Sequence, residues 1–152
     1  MLAERTSGTG DCRAFILVVD DGPLVAALIA ATLGREGYEV ETAKNGREAL
    51  EKIDARTYDV ILSDLKMPEL DGVDLYHELE RQQPALLPRL AFVSGTTQRP
   101  EYASFIDRTG ATVLSKPFAV ADLHRLVQNL LQVRRDQYAD GQDQSTLPSP
   151  TG

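Results

Sequence analysis

The sequence predicts an α/β fold in which a five-stranded parallel sheet is covered by helices on both faces. Five short apolar runs alternate with five segments whose apolar residues recur at helical spacing. Three of the runs are apolar almost throughout, as expected for strands that are buried on both faces of a parallel sheet. Parallel neighbours are joined by right-handed crossovers, so the carboxyl ends of the strands meet at one edge, where ligands bind.

The five predicted strands are bounded by polar or turn-forming residues. In chain order they are FILVV (15–19), YEVETA (38–43), YDVILS (58–63), LAFVS (90–94) and ATVLS (111–115). Each strand is followed by a helix whose apolar stripe recurs every three to four residues. The stripes are Leu24, Val25, Leu28 and Ile29; Ala49, Leu50 and Ile53; Val73, Tyr76 and Leu79; Tyr102 and Ile106; and Val120, Leu123, Val127, Leu130 and Leu131.

Length and composition suit one folded domain. The chain has 152 residues, of which 42% are hydrophobic and 26% charged, which is ordinary for a globular domain with its own core. Polar, glycine- and serine-containing ends predict a flexible arm over residues 1–13 and a flexible tail over 134–152, around a domain of residues 14–133. The starting Met1 favours an independent gene product.

Charge and cysteine content exclude several classes of partner. The net charge is −7 and no lysine or arginine stripe is present, so binding to nucleic acid is not expected. No run approaches the roughly 18 apolar residues of a membrane span. The single Cys12 has no internal disulfide partner, which favours a reducing, cytoplasmic setting.

Reactive side chains follow four of the predicted strands. Asp20 and Asp21 end the first strand, Asp64 the third, Ser94 the fourth and Lys116 the fifth. Each residue alone is typical of a helix cap or a turn. Together, three acids, one hydroxyl and one amine at the same edge form the donor set of a Mg²⁺ and phosphoryl site.

Charge balance explains why the site needs these residue types. Asp20 and Asp21 repel each other unless a cation lies between them and other groups. Mg²⁺ and the Lys116 ammonium offset the three carboxylates, and a phosphoryl group on Asp64 adds negative oxygens for Mg²⁺, Lys116 and Ser94 to meet. Since Mg²⁺ keeps several waters, one acid of the pair is expected to bind it directly and the other through water.

These motifs resemble the receiver domain of two-component response regulators, the CheY-like family. The resemblance rests on VVDDGP (18–23), ILSDLKMPELDG (61–72), VSG (93–95) and VLSKPF (113–118). It covers residues 14–133 and implies a doubly wound, flavodoxin-like sheet of strand order 2-1-3-4-5.

The resemblance implies a role for each residue at the strand ends. Asp64 would be the phosphoacceptor, and Asp20 and Asp21 the acidic Mg²⁺ pair. Asp64 and the backbone carbonyl of Lys66 would complete the protein ligands of the metal.

The remaining motif residues would bind the phosphoryl group and shape the loops. Ser94 takes the place of the family's switch hydroxyl and Lys116 that of its active-site lysine. A cis bond is expected before Pro117, and Gly72 is expected to allow a tight entry into the third helix. Val113 occupies the position where the family often has a switch aromatic, so a ring-flip readout cannot operate.

Two other routes for the signal remain open in the sequence. One is the loop GTTQRPEY (95–102), which leads into the fourth helix. The other is dimerisation, because the apolar positions of the last helix, Val120 to Val133, span about 160°, whereas a stripe of roughly 100° covers a core. The alternative explanation is that this helix packs on both the sheet and a neighbouring helix.

The leading hypothesis is a single-domain receiver that is not an enzyme on a separate substrate. It would accept a phosphoryl group from a histidine kinase or a phosphotransfer protein. Because no effector fits in the 19 residues after Val133, it would signal by protein contact or pass the phosphate onward. A receiver cut from a hybrid histidine kinase is the nearest alternative.

Two rivals from other classes fit the motifs less well. A Mg²⁺-dependent aspartyl-phosphate phosphohydrolase needs an acid two residues after the nucleophile, where Lys66 stands. A flavin-binding module would bring an FMN phosphate against the negative Asp20 and Asp21. His77 and His124 are interpreted as surface or partly packed residues rather than phosphotransfer histidines.

Overall fold

The computed structural model describes residues 14–96 and 98–146, and side chains as far as residue 133. The predictions for Cys12, the arm 1–13 and residues 147–152 lie outside the described residues. Five parallel strands form one sheet, whose order is β2-β1-β3-β4-β5. The predicted order 2-1-3-4-5 is confirmed. The strands are β1 Phe15–Val19, β2 Glu39–Ala43, β3 Val60–Ser63, β4 Leu90–Ser94 and β5 Thr112–Ser115.

Helices follow every strand, as the apolar spacing predicts. They are α1 Pro23–Arg35, α2 Gly46–Ala55, α3 Gly72–Gln82, α4 Pro100–Thr109 and α5 Val120–Thr146. A 3-10 helix, η1 Pro84–Arg89, precedes β4, and the apolar spacing does not predict it. Pro84 and Pro88 suit a short 3-10 helix, because proline lacks the backbone N–H that a longer α-helix would use in its hydrogen bonds.

Alternating side chains of the central strands build a core on each face of the sheet. In β1, Leu17 and Val19 contribute to the first core, whereas Ile16 and Val18 contribute to the second. Every residue of β3 and β4 is buried, as predicted for strands covered on both faces. The two edge strands are more exposed.

Helix α5 uses its wide apolar surface for packing within the domain. Its large apolar residues in the second core are 9% exposed or less: Leu123, Leu126, Val127, Leu130 and Leu131. Val120, the first residue of the helix, is 61% exposed and lies outside this core. Packing inside the domain therefore explains the wide apolar surface of α5. A homodimer through α5 stays a prediction, and the width of this surface is not an argument for it.

The end of α5 differs from the predicted domain boundary. The helix continues to Thr146, well beyond residue 133. No proline occurs after Pro117 until Pro148, so the sequence contains no strong helix breaker in this stretch. Flexibility of residues 134–152 stays a prediction.

None of the helices in the described part of the chain combines the length and the apolar character that crossing a membrane requires.

Gly72 joins α3 to the end of β3 by close backbone contact. Its N–H donates to the Leu65 carbonyl at 2.8 Å. A Cβ at this position would lie 2.3 Å from the Asp64 carbonyl oxygen and 3.0 Å from Cε1 of Phe92. The predicted tight entry into α3 at Gly72 is present. It depends on the missing Cβ and not on a positive φ angle.

Gly72→Ala is expected to lower the free energy of unfolding by about 1–3 kcal/mol or more, because overpacking against backbone cannot relax through a rotamer change. Urea unfolding measures the effect.

Gly34→Ala is the matched control, since this helical glycine has no atom within 4 Å of its virtual Cβ. The control is expected to gain about 0.5–1 kcal/mol from helix propensity. Equal stability of the two variants would contradict the close approach at Gly72.

Candidate functional site

Three acids converge at the carboxyl edge of the sheet, as the strand-end pattern predicts. Carboxylate oxygens of Asp20, Asp21 and Asp64 lie within 4.8 Å of one another. Asp20 is buried, Asp64 is half-buried and Asp21 is exposed. We call these three residues the acid cluster. Oxygen donors at this spacing, open to solvent on one side, fit a Mg²⁺ ion that keeps part of its water shell.

Backbone bonds fix Asp20 just beyond β1. Its N–H donates to the Ala43 carbonyl at 2.9 Å, which extends the pairing of β1 with β2. Its Oδ1 accepts the Gly22 N–H at 2.8 Å, and its Oδ2 accepts from Lys116 Nζ at 3.0 Å. The buried carboxylate is therefore held by both oxygens, as a buried charge requires.

Asp64 occupies the equivalent position after β3. Its N–H donates to the Val19 carbonyl, and its Oδ1 accepts the Leu65 N–H at 2.8 Å. The other oxygen, Oδ2, lies 3.6 Å from Lys116 Nζ. Burial raises the pKa of the Asp64 carboxyl; the Lys116 ammonium opposes this shift, and hydrogen bonding to Ser94 also lowers the pKa.

Lys116 is placed by β5 and by the bond that follows it. Its N–H donates to the Ser94 carbonyl at 2.9 Å, so the ends of β4 and β5 stay in register. The Lys116–Pro117 peptide bond is cis, as predicted. The ammonium contacts both Asp20 and Asp64 and brings one positive charge to the acid cluster.

Ser94 is fully buried at the end of β4. Its Oγ lies 2.9 Å from Thr96 Oγ1 and accepts the Thr96 N–H at 3.2 Å. The same hydroxyl is close enough to Asp64 to lower the pKa of that carboxyl by a hydrogen bond. One hydroxyl thus connects the acid cluster with the loop that precedes α4.

Lys66 belongs to the loop that follows β3. It lines a cleft of about 440 Å³ together with Asp21, Met67 and Pro68. The cleft opens beside the acid cluster, which is where the resemblance puts the Lys66 carbonyl ligand. That ligand role stays a prediction.

Several residues singled out in the sequence lie outside this cluster. Val113 is half-buried and packs against the first core. Asp71 and Asp74 form a capping box at the start of α3, in agreement with their interpretation as turn and helix-end acids. His77 pairs with Glu80 on the surface of α3.

His124 is partly packed on α5. Its Nδ1 lies 3.7 Å from Glu36 Oε1, and this buried ring nitrogen has no hydrogen-bond partner. This placement agrees with the interpretation of His124 as a partly packed histidine.

Sequence reasoning missed the contact that holds the loop after β3 against α2. The Gly46 N–H donates to the Leu70 carbonyl at 2.8 Å, and a Cβ on Gly46 would lie 2.5 Å from that oxygen. Asn45 caps α2 by accepting the Glu48 N–H. The Asn-Gly pair signals a helix start, but the partner loop is distant in sequence.

Comparison with known proteins decides the family. The model of the response regulator receiver domain matches residues 16–128. The chain belongs to this family. The receiver is thus a component of the two-component signalling systems in which the family operates.

Similar proteins share the receiver and differ in what surrounds it. The chain is 35% identical over 126 residues to the alkaline phosphatase synthesis transcriptional regulatory protein PhoP of Bacillus subtilis, covering 82% of this chain and 50% of PhoP. The chain spans half of PhoP and about a quarter of another relative, the transcriptional regulatory protein GlrR of Escherichia coli.

Solved structures of receivers superpose on this fold. A CheY-like receiver domain protein from Methanospirillum hungatei has a TM-score of 0.74 at 28% identity, covering 82% of this chain and 98% of that one. The chemotaxis protein CheY4 of Vibrio cholerae has a TM-score of 0.70 at 35% identity, covering 79% and 100%.

Lys116→Met is expected to raise the pKa of Asp64 further in metal-free protein, because it removes the nearest positive charge and keeps the apolar stem. The Asp64 carboxyl then protonates at a higher pH. Carboxyl-carbon NMR titration with EDTA present measures the shift.

Lys52→Met is the control, since Lys52 Nζ donates to the Thr42 carbonyl and does not contact Asp64. An unchanged Asp64 titration in Lys116→Met would contradict the contact in the structure.

Proposed function

We propose that this receiver accepts a phosphoryl group from a phosphohistidine of a histidine kinase or phosphotransfer protein onto Asp64. A carboxylate oxygen of Asp64 forms the new P–O bond as the P–N bond to the donor imidazole breaks. The leaving nitrogen keeps the bonding electron pair, and because the other ring nitrogen of the donor carries a proton, the histidine leaves as a neutral imidazole. The receiver's part is thus that of a phosphoacceptor and not of an enzyme with a separate substrate.

The convergence of the acid cluster, Lys116 and Ser94 carries the proposal. Asp64 is anchored through its backbone and Oδ1, while Oδ2 faces Lys116 at 3.6 Å. Phosphorylation changes the charge here from −1 to about −2. Lys116 and the Ser94 hydroxyl supply a cation and a donor at the place where that charge develops.

Mg²⁺ is the proposed cofactor, held by Asp20, Asp21, Asp64 and the Lys66 carbonyl. When bound, it neutralises phosphoryl oxygens during transfer. The all-oxygen donor set and the exposure of Asp21 support Mg²⁺ over metals that select nitrogen or sulfur ligands.

The local sequence and charge disfavour the rival functions. Lys66 stands where a phosphohydrolase needs its second acid, and it is exposed beside the acid cluster. The acid cluster repels a flavin phosphate at the end of β1. No observation in the described residues favours either rival.

We propose that the output is protein contact or onward phosphate transfer. The relatives named above as transcriptional regulatory proteins are longer than this chain, which spans half of PhoP and about a quarter of GlrR. Absence of direct nucleic-acid binding by this chain and a cytoplasmic location stay predictions, as does its independence from a hybrid kinase.

Asp64→Asn is expected to abolish phosphorylation by acetyl phosphate and Mg²⁺, because an amide oxygen is a poor nucleophile. Intact-mass spectrometry measures the phosphorylated fraction. Asp54→Asn, an exposed acid on α2, is the control and should be modified like the wild type. A full phosphoryl increment in the Asp64 variant would refute the assignment.

Lys116→Met is expected to leave Mg²⁺ affinity unchanged or higher, because a positive charge beside the metal site is removed. Isothermal titration calorimetry measures this affinity, and Asp21→Asn should weaken it. A large loss of Mg²⁺ affinity in Lys116→Met would indicate that the lysine organises the acid cluster rather than the phosphoryl group.

A further inference from the structure

The segment between β3 and α3 carries part of the proposed metal site. We call residues 64–71 the β3–α3 loop, since they connect these two elements. Lys66 and Met67 line the cleft beside the acid cluster, and the Met67 side chain is 7% exposed and belongs to the first core. The Lys66 carbonyl, a proposed ligand, therefore lies where the contacts of this loop place it.

Glu69 shows that the β3–α3 loop is held in a strained shape. Among the described residues other than glycine, Glu69 alone has a positive φ, of 66°, and this region is costly for a residue with a Cβ. Its carboxylate lies 3.4 Å from Arg47 Nε, but both side chains are more than half exposed, so this ion pair contributes little. Such a conformation persists only where other contacts enforce it.

One such contact is a backbone hydrogen bond to the start of α2. The Gly46 N–H donates to the Leu70 carbonyl at 2.8 Å. Gly46 is the first residue of α2 and is buried, so its N–H has no acceptor within the helix. The positive end of the helix dipole also favours the carbonyl oxygen at this place. The bond thus satisfies a helix-end donor and fixes the residue that follows Glu69.

The bond requires the absence of a side chain on Gly46. A Cβ at this position would lie 2.5 Å from the Leu70 carbonyl oxygen and 2.8 Å from Cδ2 of the same leucine. The oxygen belongs to the backbone, so a rotamer change cannot relieve the overlap. A side chain on Gly46 therefore displaces the β3–α3 loop.

The start of α2 is also connected to the other side of the acid cluster. Ala43 precedes Gly46 by three residues, and its carbonyl accepts the Asp20 N–H at 2.9 Å. Both residues between them are bonded to Glu48. The short segment 43–46 therefore connects the backbone of Asp20 to the β3–α3 loop.

We propose that Gly46 is a positioning residue of the Mg²⁺ site. Its bond to Leu70 keeps the β3–α3 loop where the Lys66 carbonyl can bind the ion together with the acid cluster. This inference rests on the proposed function. Mg²⁺ demands near-ideal octahedral geometry, so groups that orient its ligands affect its affinity although they do not bind it.

Gly46→Ala is expected to weaken Mg²⁺ binding about ten-fold or more, because the added methyl group displaces the Leu70 carbonyl and the loop that carries Lys66. Isothermal titration calorimetry measures the affinity, and circular dichroism checks that the variant is folded at the temperature used. At saturating Mg²⁺, acetyl phosphate should modify this variant to the wild-type extent, since Asp64 and Lys116 are retained.

Leu130→Ala is the control for a general loss of stability. Leu130 lies on α5, is 4% exposed and belongs to the second core, on the other face of the sheet from α2. Truncating a buried leucine destabilises the domain. The folded Leu130→Ala protein should nevertheless bind Mg²⁺ with wild-type affinity.

A second measurement needs no variant. Coupling between two sites is reciprocal, so if the Gly46–Leu70 bond favours Mg²⁺, then Mg²⁺ stabilises that bond. The Gly46 amide of the wild type should exchange with deuterium more slowly in Mg²⁺ than in EDTA. The Gly110 amide, which donates to the Ile106 carbonyl at 2.8 Å at the opposite edge of the sheet, is the control and should exchange at the same rate in both.

The remaining outcomes separate this inference from the proposed function. Wild-type Mg²⁺ affinity in folded Gly46→Ala, or an equal loss in Leu130→Ala, refutes the positioning role. Exchange at Gly46 that does not slow, or slows no more than at Gly110, refutes it as well, as does a folded Gly46→Ala that stays unmodified at saturating Mg²⁺. Wild type that binds no Mg²⁺ refutes the proposed cofactor, and the inference falls with it.

Discussion

Repulsion among three neighbouring carboxylates is the constraint on which the rest of this structure depends. The oxygens of the acid cluster lie within 4.8 Å of one another, and such a group persists only where positive charge and donors offset it. Lys116 reaches Asp20 and Asp64 from β5, and backbone N–H groups of Gly22 and Leu65 bind the same two acids. Each of these partners depends on the order of strands in the sheet.

Backbone contacts hold the end of β3, where Asp64 lies. Asp64 is paired to Val19 through its N–H, and its carbonyl accepts from the Ser63 hydroxyl. Gly72 leaves no space for a side chain beside that carbonyl. The Asp64 side chain is therefore held by backbone contacts on one side, and on the other it faces Lys116.

Contacts between Ser94 and Thr96 hold the loop that precedes α4. Ser94 is buried and its Oγ accepts the Thr96 N–H, which leaves its O–H free to donate toward the acid cluster.

The sequence by itself determined the fold class, the sheet order through the family resemblance, and the set of residues at the strand ends. The spacing of apolar residues and the residue types that follow each strand are local patterns that can be read from the sequence. The residues after the strands are Asp20, Asp21, Asp64, Ser94 and Lys116. Only the tertiary structure decided that Gly72 and Gly46 are needed for close backbone approach, and that most of the apolar surface of α5 packs inside the domain. Those facts depend on distances between segments far apart in the chain, which no local pattern encodes.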